Sequence, residues 1–140
     1  MAKTTLQLNN YFFPIINIVA NPNWTNESAD GKGPPVSNCV VKLEKDETNE
    51  NIFQISVSID VIDTADNPSQ YNISLVAVGW LTADEDMPNK EQNMSITGAS
   101  ILYSASREFI LQLTSRGPFP PIMLSPMYFG VKPANEDEEK

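Results

Sequence analysis

Histidine is absent from the 140-residue sequence, and only one cysteine is present. Without histidine the commonest general base is missing, so a nucleophile such as Cys39 has no imidazole to activate it. A single cysteine cannot close an internal disulfide and offers no cluster of ligands for zinc. The sequence also lacks a glycine-rich phosphate loop and a G-x-S-x-G turn. We therefore predict that the protein is not an enzyme and uses no cofactor or metal.

Cationic side chains are scarce as well, because 9 Lys and Arg stand against 18 Asp and Glu, for a net charge of -9. Nucleic-acid binding draws much of its affinity from clustered cations, so this charge argues against DNA or RNA as a partner. Part of the negative charge lies in residues 133–140, which we expect to form a disordered acidic tail. Residues 1–132 are then expected to form a single domain.

Long apolar runs are missing too. No stretch of about 18 apolar residues is available to span a bilayer, so we do not expect a membrane protein. The first residues, Met1–Thr5, lack the apolar core of a secretory signal. We therefore expect a cytoplasmic location.

Four segments have the periodicity of β-strands. Leu6–Val19 is apolar but contains Pro14, which predicts an edge strand or a bulge. Cys39–Glu44 alternates, with the cysteine as a small buried side chain. Phe53–Val61 alternates most clearly, with one apolar and one polar face. Tyr71–Leu81 is apolar on both faces, which is typical of a central strand or a subunit contact.

From about Gln92 to Arg116 the apolar spacing becomes helical, with two apolar stripes. Gly117 and Pro118 then predict the end of the helix. The following segment, Phe119–Phe129, is apolar but contains three prolines. Proline removes backbone donors and fixes φ, so this segment is expected to be an extended ribbon packed against other elements.

Large apolar side chains also occur in irregular places, such as Trp24 in the long connection 21–37, Trp80 at a strand end and Met94 ahead of the helix. Adaptable surfaces rich in Met and aromatic residues suit the binding of many different chains. The alternative is that these side chains complete the core or a contact between subunits.

One stretch resembles a known family. Arg107–Pro120 reads REFILQLTSRGPFP, and Leu124–Phe129 reads LSPMYF. These segments resemble the helix end and proline loop of SecB, a family of protein-export chaperones, in which an R-E-x-I helix leads to S-R-G-x-F-P and then to L-A-P-x-N-F. The resemblance implies an α+β fold, in which a four-stranded antiparallel sheet carries one long helix on one face.

The resemblance also implies an ATP-independent holdase that binds unfolded polypeptides in an extended hydrophobic groove. The groove residues expected by position are Phe12, Ile16, Trp24, Trp80, Met94, Phe119, Pro120 and Ile122. It further implies a homo-oligomer, a tetramer built as a dimer of dimers through sheet edges and the long helix. On that helix, the expected interface residues are Ala99, Tyr103, Ser106 and Ile110.

Two features depart from the family pattern. Residues 130–133 lead directly into the acidic tail, which leaves few residues for the family's second helix. The family also presents carboxylates on its sheet for docking to the translocase ATPase, whereas Asn9, Asn10 and Ala77 stand at the corresponding positions. These departures weaken the expectation of translocase docking. A SecB-like chaperone that is solitary, linked to a toxin or carried by a phage is then as plausible as an export factor. Two further alternatives are an interaction protein dedicated to one partner, and a structural oligomer without a client whose apolar loops are buried at subunit contacts.

Overall fold

The computed structural model describes residues 6–129. The predicted domain limit at residue 132 and the predicted tail at 133–140 lie outside the described residues. The strands are β1 (Leu6–Ala20), β2 (Val36–Lys45), β3 (Ile52–Ile62) and β4 (Tyr71–Ala83). The helices are α1 (Asn26–Ala29) and α2 (Lys90–Thr114). None of the described helices combines the length and hydropathy needed to cross a bilayer.

The four strands form one antiparallel sheet in the order β1-β4-β3-β2. β1 is therefore an edge strand, and its register with β4 shifts between Phe12 and Ile15, on either side of Pro14. A proline has no N–H for the ladder, so a register shift at this point accommodates it. The predictions of an irregular edge strand at Pro14 and of a central strand for β4 are confirmed.

Alternation along β3 and β4 divides the sheet into a covered face and an open face. On the covered face, Phe53, Ile55, Leu75 and Leu81 have no exposed surface. Helix α2 packs on this side, and a side chain at Gly98 would approach the Ile55 Cδ1 atom to 3.1 Å. The small residue lets the helix lie close to the sheet. The predicted four-stranded antiparallel sheet with one long helix on one face is confirmed.

Phe119–Phe129 has no regular secondary structure, and we call it the proline ribbon. Three side chains of α2 bond to its backbone in place of a strand partner. The hydroxyl of Thr114 accepts from the Ile122 amide at 2.9 Å, Arg107 Nε donates to the Leu124 carbonyl at 2.6 Å, and the Tyr103 hydroxyl donates to the Ser125 carbonyl at 2.7 Å. Side-chain partners thus satisfy backbone groups that the prolines keep out of a regular ladder.

Residues 21–35 join β1 to β2, and we call them the crossover loop. The loop contains the short helix α1, which its many Asn, Gly and Pro residues did not predict. A reciprocal capping box between Thr25 and Ser28 holds this turn. Asn21 anchors the loop to the chain before β4, because its side-chain amide donates to the Ser69 carbonyl at 2.9 Å and its backbone N–H donates to the Gln70 carbonyl at 2.9 Å. The loop is therefore fixed beside the segment that leads into β4.

Candidate functional site

A cavity of about 250 Å³ lies between the start of β2 and the proline ribbon, and we call it the ribbon cleft. Its lining residues are Pro34, Pro35, Ser37, Gln70, Pro121, Ile122, Met123, Leu124 and Ser125. The three prolines contribute ring surface without a backbone N–H that would need an acceptor. The cleft therefore suits apolar side chains and makes few directional demands on them.

The edge of the sheet next to this cleft is formed by β2. Among the strands in residues 6–129, β2 pairs with β3 alone. An edge strand directs part of its backbone N–H and C=O groups away from the sheet, where another chain can pair with them. The first residue of β2, Val36, lies between the cleft residues Pro35 and Ser37. An extended polypeptide could thus pair with β2 while its side chains enter the cleft.

A second cavity of about 330 Å³ lies along α2 and reaches the proline ribbon. Its lining residues are Ser104, Arg107, Glu108, Leu111 and Met123. Met123 therefore borders both cavities, and its side chain is 67% exposed. An unbranched, exposed thioether between two cavities is an adaptable apolar surface.

Aromatic side chains connect the crossover loop to the proline ribbon. The rings of Trp24 and Phe119 lie 5.0 Å apart, and Phe119 also contacts the ring of Tyr71 at 5.9 Å. Both Trp24 and Phe119 are partly buried. The Trp24 Nε1 atom is buried without a hydrogen-bond partner, an arrangement that costs on the order of 1–3 kcal/mol. The loop is thus held to the ribbon mainly by apolar contact.

The hydroxyl of Tyr71 forms hydrogen bonds with backbone groups at the start of the ribbon. It accepts the Phe119 N–H at 3.1 Å, and it lies 3.3 Å from the Thr114 carbonyl and 3.2 Å from the Phe119 carbonyl, to either of which it can donate. Tyr71 itself is 3% exposed. A core residue of β4 therefore sets where the ribbon leaves the end of α2.

Phe12 and Trp80, two predicted groove residues, lie on the open face of the sheet. Phe12 pairs with Val78, and its ring stacks on Trp80 with centroids 5.5 Å apart at 27°. Helix α2 and the proline ribbon lie on the other face. The pair is separated from the cleft because strand alternation directs even-numbered residues of β4 away from the helix.

The remaining predicted groove residues fall into different environments. Ile16 lies opposite Leu75 at the β1 edge and is 51% exposed. Pro120 is exposed on the ribbon, next to Phe119. Ile122 is a buried residue of the ribbon. Met94 lies within the first turns of α2, not ahead of the helix as expected, and it has no exposed surface because it is on the buried side of that helix. Ile122 is the one predicted residue that lines the ribbon cleft.

The four residues predicted for a subunit interface lie inside the protomer. Ala99, Tyr103, Ser106 and Ile110 are all buried in the described structure. They occupy the side of α2 that packs on the sheet, where the Ser106 hydroxyl donates to the Leu102 carbonyl at 2.7 Å. A side chain without exposed surface reaches another subunit only if the packing rearranges. Contact of these four residues with a second subunit stays a prediction.

Tyr103 of α2 and Cys39 of β2 are uncharged at neutral pH. Burial raises the pKa of Tyr103, and the neighbouring Cys39 raises it further, against a smaller opposing effect of Arg107. Burial also raises the pKa of the Cys39 thiol. Both groups therefore keep their protons near pH 7. Within residues 6–129, no group of three or more Cys, Asp or Glu side chains is arranged to hold a metal ion.

Sequence reasoning missed most of the cleft. Pro34 and Pro35 lie in the connection 21–37, in which only Trp24 was singled out, and Met123 was not distinguished from its ribbon neighbours. The sequence did contain a signal for the cleft, namely two consecutive prolines directly before an edge strand. Because prolines have no backbone N–H, this segment exposes apolar rings and offers no donor for pairing with another strand. The proximity of these prolines to the ribbon, however, depends on contacts across more than 80 residues of chain.

Comparisons with known proteins agree with this architecture. The family model described as preprotein translocase subunit SecB matches residues 16–133. A solved structure of the Mycobacterium tuberculosis Rv1957 SecB-like chaperone, in complex with a ChAD peptide from the Rv1956 HigA1 antitoxin, is similar with a TM-score of 0.62 at 16% identity, covering 91% of this chain and 92% of that one. A Streptococcus agalactiae protein of unknown function is similar with a TM-score of 0.53 at 15% identity, covering 89% of this chain and 99% of that one. At these identities the two structures show a shared fold.

Proposed function

The chain belongs to the SecB family, and we propose from this premise that it is an ATP-independent chaperone that holds unfolded polypeptide in the ribbon cleft. The family match supports a chaperone-like function in general. The assignment of binding to this cleft rests on one observation, namely a cavity lined in part by prolines, Ile122, Met123 and Leu124 beside the sheet edge at β2. We further propose that the protein acts in the cytoplasm, as a homo-tetramer and without catalysis.

The geometry provides two kinds of interaction for an extended client. Backbone pairing with β2 is independent of client sequence, since every residue except proline has the same donor and acceptor. Side-chain burial in the cleft adds about 1.5–3 kcal/mol for each large apolar side chain that is fully enclosed. A dissociation constant near 1 μM corresponds to about 8 kcal/mol, so a few such anchors are needed. This combination favours apolar, extended segments and gives little further selectivity.

The proposal is tested with matched substitutions in the ribbon. Met123→Ser removes an apolar side chain that borders both cavities, whereas Met127→Ser makes the same change at a residue that lines neither of the cavities described above. Both methionines are exposed, at 67% and 39%, so neither change should disturb the core. We expect Met123→Ser to bind an unfolded test protein about tenfold more weakly, the equivalent of about 1.4 kcal/mol. Met127→Ser should bind like the unaltered chain.

The measurement is suppression of aggregation of a denatured test protein, together with the affinity for a fluorescent, permanently unfolded client. Trp24→Ala and Phe119→Ala provide a second pair, because they remove the contact between the crossover loop and the ribbon. Equal client affinity of all four variants and the unaltered chain would place binding elsewhere. Failure of the unaltered chain to suppress aggregation at stoichiometric excess would reject the holdase function.

A second candidate is an interaction protein dedicated to one partner. It is favoured by the similar mycobacterial chaperone, whose structure contains a peptide from an antitoxin. The same cleft would then select one sequence in place of many. Affinity capture from the native host distinguishes the two functions, because a dedicated protein should yield one partner in a fixed ratio and a general holdase should yield many clients in small amounts. Translocase docking would be detected in the same capture.

A further inference from the structure

We propose that Met123 is a site of reversible oxidation and that its sulfoxide closes the ribbon cleft to apolar clients. The inference rests on the proposed function, and it adds a chemical control of the same site. The reaction consumes one molecule of a peroxide such as hydrogen peroxide. The thioether sulfur loses two electrons and gains one oxygen atom, while the peroxide is reduced to water.

The backbone around Met123 forces its side chain outward. Ile122 and Leu124 on either side are 5% and 6% exposed, so the alternation of an extended chain directs Met123 to solvent. Hydrogen bonds hold the backbone at both neighbours, from the Ile122 amide to Thr114 Oγ1 and from Arg107 Nε to the Leu124 carbonyl. The sulfur therefore cannot withdraw into the core and stays accessible to a dissolved oxidant.

The other described methionines differ strongly in exposure. Met123 is 67% exposed and Met127 is 39% exposed, whereas Met87 is 8% exposed and Met94 is fully buried. Oxidation of methionine follows access to the sulfur. The expected order of modification is therefore Met123 first, then Met127, with Met87 and Met94 much slower. The two core methionines serve as internal standards in the same molecule.

Oxidation should change the cleft without unfolding the protein. The buried neighbours and their hydrogen bonds keep the ribbon in place whether or not the exposed sulfur carries oxygen. The sulfoxide, however, is a strongly polar group that would have to lose its water when a client side chain covers it. Because Met123 borders both cavities, one modification makes both of them less favourable for apolar side chains.

The test treats the full chain with hydrogen peroxide and follows each methionine by mass spectrometry of its peptides. Client affinity is then measured before oxidation, after oxidation and after reduction by the two methionine sulfoxide reductases. We expect about tenfold weaker client binding after Met123 is oxidised and recovery after reduction. Met123→Leu has no sulfur at this position, so peroxide should leave its client affinity at the value measured for the same variant before treatment. Met127→Leu should respond to peroxide like the unaltered chain.

The outcomes separate the two proposals. Oxidation of Met123 no faster than that of Met94 would overturn the assignment of the site. Oxidised chain that holds clients as well as reduced chain, while Met123→Ser does not, would overturn the switch and leave the chaperone function standing. A peroxide effect that persists in Met123→Leu would assign the control to another residue and likewise overturn the proposal. If the unoxidised chain holds no client, the proposed function fails first, and the switch fails with it.

Discussion

Replacement of Gly117 by alanine would place a methyl group against the buried hydroxyl of Tyr71, where the proline ribbon begins. The atom nearest to the added Cβ would be the Tyr71 hydroxyl oxygen. The Cβ would also lie 2.8 Å from Cζ and 3.0 Å from Cε1 of the same ring. Contacts this short force one group to move. Tyr71 is 3% exposed and bonded to the ribbon, so its ring cannot swing away freely.

The expected cost follows from the contacts that the displaced ring would lose. The Tyr71 hydroxyl accepts the Phe119 N–H at 3.1 Å and donates to a carbonyl of Thr114 or Phe119. Two hydrogen bonds contribute about 1 kcal/mol each, and crowding of a packed region adds about 1 kcal/mol. We therefore expect Gly117→Ala to lower the free energy of unfolding by about 2–3 kcal/mol.

A double-mutant cycle with Tyr71→Phe identifies the cause. Because phenylalanine has no hydroxyl to displace, the two substitutions together should cost about 1–2 kcal/mol less than the sum of the single costs. Gly31→Ala is the matched control: nothing lies within 4 Å of its added Cβ, and its φ of +74° makes the cost one of backbone strain. That cost, about 1 kcal/mol, should be independent of Tyr71.

Urea unfolding followed by circular dichroism measures six proteins: the unaltered chain, the three single variants, and the two double variants that combine Tyr71→Phe with each glycine substitution. A cost of Gly117→Ala below about 0.5 kcal/mol would show that the ribbon does not depend on this close approach. Strict additivity with Tyr71→Phe would refute the role of the hydroxyl. Either result would also remove the argument that β4 positions the ribbon and thereby the cleft.

Two further predictions concern protonation. Burial, with Cys39 close by, raises the pKa of Tyr103 above its ordinary value. The unfolded chain therefore loses the phenolic proton at a lower pH than the native chain does. The stabilisation that this difference gives is fully present below about pH 10 and is lost as the pH rises further. Tyr103→Phe should reduce the fall in the free energy of unfolding at alkaline pH, as measured by urea unfolding. Near pH 7 it should lower that free energy by about 1 kcal/mol, because the hydrogen bond to the Ser125 carbonyl is lost. An unchanged dependence on alkaline pH would contradict the assignment to Tyr103. Burial also raises the pKa of Cys39, so at about pH 8 its alkylation should be slower than that of the same residue in urea, and equal rates would argue against the half-buried position.

Much of the fold is predictable because its signals are local. The alternation in Phe53–Val61 and the helical spacing after Gln92 depend only on neighbouring residues, and each identifies an element within a few positions of its observed limits. Pro14 indicated an edge strand, and the edge was observed. The short motif from Arg107 to Phe129 was sufficient to indicate the family. Helix α1 was missed, because it is a single capped turn among residues that favour loops.

The candidate site was less predictable, because exposure depends on which elements cover one another. Phe12 and Ile122 are both large and apolar, yet Phe12 lies on the open face of the sheet and is 44% exposed, whereas Ile122 lies in the ribbon and is only 5% exposed. No local pattern distinguishes them. The four helix residues expected between subunits are buried within their own protomer, and their contact with a second subunit stays a prediction.

Periodicity along the chain states which side chains share a face, and this information was enough for the strands, the long helix and the family. It does not state what lies over that face. Pro34 and Met123 come together in one cleft because Asn21 holds the crossover loop against the chain before β4, while Tyr71 and Thr114 hold the ribbon. Those contacts join residues far apart in sequence, and they exist only once the chain has folded.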